Sequence, residues 1–181
     1  MPLDWEWSAA ELDALQDEVP YRVEVVDGVL VVNPRAYPWH NHVGGEVCDV
    51  LAAAAPSGAW AYFGVEIRHV EGEMVHRSLV PDVMVAPRRL CDERADYAVP
   101  GDVSLVVEVV STHSEVFDRR VRPVLYADFG IPSMWLIDRT LTLVEYRLAP
   151  DGDPEIVRTV RGGTFTTDIP FPITLNLDAL G

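Results

Sequence analysis

Leu105-Val106-Val107-Glu108-Val109-Val110 is the stretch on which the fold turns. A continuous apolar, β-branched run of this kind reads as a central strand covered on both faces, because a strand with one wet face alternates. Side chains do alternate along a strand, so Glu108 shares a face with Val106 and Val110, and its carboxylate enters the interior. A lone charge there is costly, and a partner is required. Two further acids interrupt apolar strands in the same way. Glu24 stands between Val23 and Val25-Val26, and Asp82 opens an apolar run directly after Pro81. Three carboxylates at the edges of apolar strands suit an oxygen-ligand site for magnesium or manganese, since the cation relieves their repulsion. Taken singly, each acid is better read as pairing with an arginine or capping a turn.

The surrounding elements follow from local signals. Ser8 and Glu11 have capping-box spacing and start a short helix from Ala9 to about Asp17. Asp27-Gly28 between Arg22–Val26 and Val29–Asn33 marks a hairpin. Val43, Val47, Val50, Leu51 and Ala54 recur at helical spacing from Trp39 to Ala55, and Pro56-Ser57-Gly58 ends that helix. Strands are expected near Ala61 to Val70 and Val80 to Ala86. A helix capped by Thr112 and Glu115 should run towards Phe129, with Pro123 kinking or restarting it. Met134 to Ile137 and Leu141 to Tyr146 form a second hairpin, and 156–160 and 173–177 read as peripheral strand. This mixture gives an α/β fold, a mixed β-sheet flanked by helices with added β-hairpins.

Composition bounds the function. At 181 residues, half of them apolar, the chain is expected to form a single domain over residues 1–181 without staples. Cys48 and Cys91 stand alone and read as thiols in a reducing compartment. The start lacks a basic, apolar leader, and no run spans a bilayer, so a cytoplasmic protein with no membrane partner is expected. The net charge is −15, and all fourteen basic residues are arginines. Such a surface disfavours nucleic acid at long range, so a nucleic-acid role needs a local arginine patch or a bound cation. Arg119, Arg120 and Arg122 form the one dense basic cluster.

Taken in order, several segments form a pattern. Arg22-Val23-Glu24-Val25-Val26-Asp27-Gly28, His40-Asn41, Val80-Pro81-Asp82-Val83 and Val107-Glu108-Val109-Val110-Ser111 are followed by Asp118, Tyr126, Gly130-Ile131-Pro132 and Trp135-Leu136-Ile137-Asp138. Over roughly Tyr21 to Tyr146 the chain resembles the Uma-type restriction endonuclease family of the PD-(D/E)xK nuclease superfamily. The resemblance implies a restriction-endonuclease-like fold and metal-dependent phosphodiester cleavage. Glu24, Asp82 and Glu108 would be the acids, with Asp82 and Glu108 the primary ligands of Mg2+ or Mn2+. A homodimer is plausible by analogy with nucleases that pair their sites.

One position departs from the superfamily. Its lysine lies two residues after the glutamate, where this chain has Val110. In the Uma-type family the lysine looks displaced to the next helix, four residues before a tyrosine, which is Arg122 here. Arginine keeps the charge but cannot act as a base. Arg122 is expected to be more exposed than Val110. A catalytically degenerate nuclease fold acting as an interaction module is therefore the alternative.

Two other readings compete. His40, His42 and Glu46 have the spacing of a cupin metal motif, although Pro34 stands where that motif wants glycine. Ser111 and His113 suggest a nucleophile and base, but no strained elbow surrounds Ser111, and a capping role fits it better. His69 and His76 bracket an exposed turn, Glu71-Gly72-Glu73.

Overall fold

The computed structural model describes residues 7–33, 37–112 and 114–181. Its larger sheet is built on the valine-rich run. Strand β8 (Leu105–Val109) is central in the order β11-β10-β9-β8-β7-β4, formed by β4 (Ala59–Phe63), β7 (Val83–Pro87), β9 (Ser133–Ile137), β10 (Thr142–Leu148) and β11 (Pro154–Arg161). β8 and β9 are parallel and the other pairs antiparallel. The parallel pair needs a crossover, which carries helices α4 (Glu115–Arg120) and α5 (Arg122–Asp128).

Both faces of this sheet are covered, which explains the unbroken apolar run. On one side Val107, Val109 and Trp135 meet Val43, Val47 and Leu51 of helix α2 (Pro38–Ala54), together with Phe165 and Leu175 of a small hairpin. That hairpin is β12 (Thr164–Thr167) and β13 (Ile173–Asn176). On the other side Met84, Val106 and Leu136 pack against Leu125 and Tyr126 of α5. Every residue of β8 is buried, Glu108 included.

The second sheet joins β1 (Trp7–Ser8), β6 (Met74–Leu79), β2 (Arg22–Val26) and β3 (Val29–Asn33) in that order, with β5 (Ile67–Glu71) also paired to β6. Asp27 and Gly28 both have positive φ, the backbone that a two-residue I′ hairpin demands. Helix α1 (Ala9–Glu18) opens with the expected capping box and buries Leu12 against Val23, Val25 and Val75. Arg68 ties α1 to this sheet. It is 2% exposed and pairs with both Glu66 and Asp13 beneath the Tyr97 ring.

Four local expectations needed correction. The expected strand from Ala61 to Val70 is two strands in different sheets, β4 and β5, parted at Gly64, whose φ is +63°. β6 was hidden because the sequence Met74-Val75-His76-Arg77-Ser78-Leu79 alternates weakly, yet Gly72 turns it back against β5. The run from 80 to 86 becomes a strand only at Val83, and 80–82 is the crossing from one sheet to the other. The helix expected from Thr112 to Phe129 breaks at Val121. Pro123 sits in the first turn of α5, where its missing N–H costs nothing, and Ser114 rather than Thr112 precedes α4. Among the described residues no helix is long and apolar enough to cross a membrane.

Leu51 is fully buried between α2 and the sheet. Leu51→Ala should lower the urea-unfolding free energy by about 2–5 kcal/mol, with an unchanged m-value.

Candidate active site

The segment 80–82 fixes the site. Antiparallel pairing of β7 and β8 sets Val83 opposite Val107 and Met84 opposite Val106. Asp82 lies one residue before β7, just beyond the last pair of this register, beside the end of β8 that carries Glu108 and Val109. The Val109 N–H donates to Asp82 Oδ2 at 2.8 Å and locks the alignment. Glu24 arrives from β2 and accepts from the Val80 N–H at 2.7 Å. The three acids read from the sequence therefore do converge, and they are 0%, 2% and 3% exposed in chain order.

Each acid is also paired, so the simpler expectation of arginine partners holds together with convergence. Arg22 Nη1 lies 3.1 Å from Asp82 Oδ1 and also donates to the Val80 carbonyl. Arg122 donates from Nη1 and Nη2 to the two oxygens of Glu24, at 3.1 and 3.0 Å. Its Nε donates to Asp118 at 3.2 Å, and Nη1 lies 3.0 Å from Glu108 Oε1. One guanidinium thus serves three carboxylates. Arg122 is 3% exposed, which corrects the expectation of an exposed position: the break at Val121 turns α5 so that its first turn faces the sheet.

The sequence reading passed over several partners. His40 Nε2 lies 3.1 Å from Asp82 Oδ2, while its Nδ1 is buried without a partner among the described residues. Asn33 donates to Glu24 Oε2 at 2.6 Å, and Tyr126 donates its hydroxyl to Glu108 Oε1. Two signals pointed to them. The Asp27-Gly28 hairpin sets Arg22 opposite Asn33, two residues from Glu24. Asp118, Arg122 and Tyr126 are spaced at i, i+4 and i+8, one helical face. His40 stood in the family pattern, but its partner Asp82 came to light only through the fold.

The Asp82 and Glu108 carboxyls are driven apart electrostatically. Burial pushes Asp82 up, but His40, then Arg22 and the Val109 amide, outweigh it and leave its pKa below the ordinary carboxylate value. For Glu108 burial dominates. Arg122 opposes it, the Asp82 charge adds to it, and the result lies well above the ordinary value. A cation shared by the pair would relieve that penalty. Two neighbouring carboxylates, hard oxygen donors, fit magnesium or manganese, which keep several waters. Among the described residues no group of three or more His, Cys, Asp and Glu side chains forms a ready-made metal cage.

The rival sites come apart. His40 is buried against Asp82, whereas His42 and Glu46 are exposed. Residues two apart on a helix point to different sides, so a cupin-like trio does not form. Pro34 and His113 lie outside the described residues, and with them the cupin glycine position and the proposed Ser111 base. Ser111 Oγ contacts Ser114 Oγ at 2.6 Å and accepts from the Ser114 N–H, a turn contact ahead of α4 that does not cap the helix. In the basic cluster, Arg119 pairs with Glu115 and Asp138, while Arg120 is exposed with no ion pair among the described residues.

The chain and its fold have known counterparts. Residues 9–179 match the Uma2 family, described as "Putative restriction endonuclease". The chain belongs to that family. Its fold is restriction-endonuclease-like. It is similar to a crystal structure described as "a putative nuclease belonging to DUF820" from Anabaena variabilis ATCC 29413, at 18% identity and a TM-score of 0.70, covering 93% of this chain and 96% of the other. No curated protein matches the chain.

Because Arg122 neutralises buried acids, Arg122→Met should cost about 3–5 kcal/mol in urea unfolding, the usual effect of stranding a buried charge. Adding Glu24→Gln to that variant should recover part of the loss.

Proposed function

We propose that this Uma2 protein is a metal-dependent nuclease that hydrolyses phosphodiester bonds in nucleic acid. Asp82 and Glu108, buried at the same end of the β7–β8 pair and close enough for the Asp82 charge to act on Glu108, are the carrying observation. They would hold Mg2+ or Mn2+, and a bound ion supplies Lewis-acid polarisation of the phosphate and a water of lowered pKa. His40, Arg22 and the Val109 amide hold Asp82 ionised and aimed. Tyr126 and Arg122 orient Glu108 through Oε1, and the carboxylate so held would ligate the ion. Glu24 and Asp118 hold Arg122 in place. With its donors shared among three carboxylates, Arg122 positions the acids rather than clamping a phosphate.

A second reading, a catalytically silent nuclease fold, is favoured by one observation. Arg122 stands where the family lysine is expected and cannot exchange a proton with water. The two readings separate in one assay. Wild type should nick plasmid and cut single-stranded DNA in manganese, above a Glu108→Ala blank. Activity equal to that blank would favour the silent fold.

Metal linkage is read without turnover. A ligand that binds only the folded state raises the thermal midpoint. Manganese should raise it for wild type and not for Asp82→Ala. Equal shifts in both would assign the effect to the acidic surface.

A further inference from the structure

We propose that a cleft between the outer strands of the large sheet and the β12–β13 hairpin binds a small carboxylic acid. Arg147 and Arg158 hold its carboxylate, and its apolar body lies against Val157 and Ile169. The cleft has a volume of about 390 Å3, within the range of small-molecule sites, and Glu145 and Thr167 complete its lining. Strand register assembles it. Glu145 and Arg147 lie two apart on β10 and share one face. Arg158 of β11 stands directly opposite Glu145. Thr167 ends β12, whose Phe165 packs edge-on against Trp135, with the Arg158 guanidinium 4.5 Å over the Phe165 ring. This is the face of the sheet that α2 covers. Arg122 and Tyr126 reach Glu108 from α5 on the other face, so the cleft is separate from the Asp82–Glu108 site.

Charge in the cleft runs against the rest of the chain. The protein has 29 acids for 14 arginines, and Arg122 alone serves three carboxylates. Here two arginines share one. Arg147 donates from Nη2 to Glu145 Oε1, and Arg158 donates to Oε2 from Nε and Nη2, at 3.2 and 2.8 Å. Glu145 is 2% exposed, a buried anchor that sets both guanidiniums in place. Among the described residues no other acid lines the cleft, and Glu155, opposite Arg147 in the ladder, makes no ion pair with it. One positive charge is therefore left over.

Donors are in surplus as well. Nη2 of Arg147 is taken up by Glu145 and Thr167 Oγ1, and Nη2 of Arg158 by Glu145 and the Thr166 carbonyl. Arg147 Nε and Nη1 and Arg158 Nη1 have no hydrogen-bond partner among the described residues. On β9 alongside, Ser133 stands opposite Arg147 and Trp135 opposite Glu145, and Ser133 Oγ and Trp135 Nε1 are buried without partners among the described residues. A patch richer in donors than acceptors selects a ligand group that only accepts, which an ionised oxyanion does. A single surplus positive charge selects a monoanion, because a dianion would add net negative charge to a chain already at −15. The planar guanidinium fork matches a carboxylate. A carboxylate alone fills little of the cleft, and the exposed side chains of Val157 and Ile169 give the remainder an apolar wall.

The site rests on this cleft and needs nothing of the nuclease reading. Benzoate is the probe, with benzyl alcohol as its neutral counterpart and phenyl phosphate at pH 8 as a dianion. In 15N-edited spectra of the full chain, benzoate should shift the amides of Arg147, Arg158 and Thr167 saturably. Benzyl alcohol should not, and phenyl phosphate should bind more weakly. Arg158→Gln should weaken benzoate about tenfold or more, the usual effect of losing a charge-assisted hydrogen bond. Val157→Glu, at an exposed rim position, should weaken it as much with an unchanged far-UV spectrum, while Val29→Glu on the exposed β3 should leave Kd unchanged. No saturable shift overturns the proposal, as does equal binding of benzyl alcohol. Tighter binding of phenyl phosphate also overturns it and assigns the cleft to a phosphate monoester. Should Arg158→Gln not fold, an unchanged benzoate affinity in Val157→Glu overturns it as well.

Discussion

The Arg122 guanidinium, buried among Glu24, Glu108 and Asp118, is the constraint on which the site depends. Burying one cation and three acids is expensive, and the cost is offset only when geometry and hydrogen bonding are good. Here Nε, Nη1 and Nη2 all donate, and the Glu24 oxygens also accept from Asn33 and from the Val80 amide. The same contacts join elements that share little else. Glu24 belongs to the small sheet, Glu108 to the large one, and Arg122 to the crossover between two parallel strands. A hydrophobic contact would join these elements with no preferred register. The ion network admits one, because each charge left unmatched inside would cost several kcal/mol.

Around that network the acids divide their tasks by environment rather than by type. Asp82 and Glu108 are buried at the same end of the β7–β8 pair, yet one is held below its ordinary pKa and the other pushed well above it. The difference lies in what touches them. Asp82 receives donors from α2, β2 and the β8 backbone, whereas Glu108 has the Tyr126 hydroxyl and an Arg122 shared with two other acids. Such a pair can share one proton or one divalent cation, and this carries the metal reading. The acidic surface bears on the same question, since a chain at −15 meets a polyanion favourably only where cations are concentrated.

Part of this was legible without coordinates. Period and punctuation gave the central strand around Glu108, the Asp27-Gly28 hairpin, the Ser8 cap and α2, because each depends on interactions within a few residues of chain. They also gave the acids Glu24, Asp82 and Glu108, since a carboxylate inside an apolar strand demands a partner wherever the strand ends up. Tertiary structure alone decided who the partners are. Nothing local says that His40 reaches Asp82, or that Arg122 is buried, because both depend on how helices dock against strands far away in sequence. The division of Ala61 to Val70 between two sheets was equally hidden: apolar character predicts burial, while the choice of sheet is set by long-range pairing. Local chemistry thus fixed which residues could not be left alone, and only the folded chain, by bringing distant charges within hydrogen-bond reach, decided what they would hold.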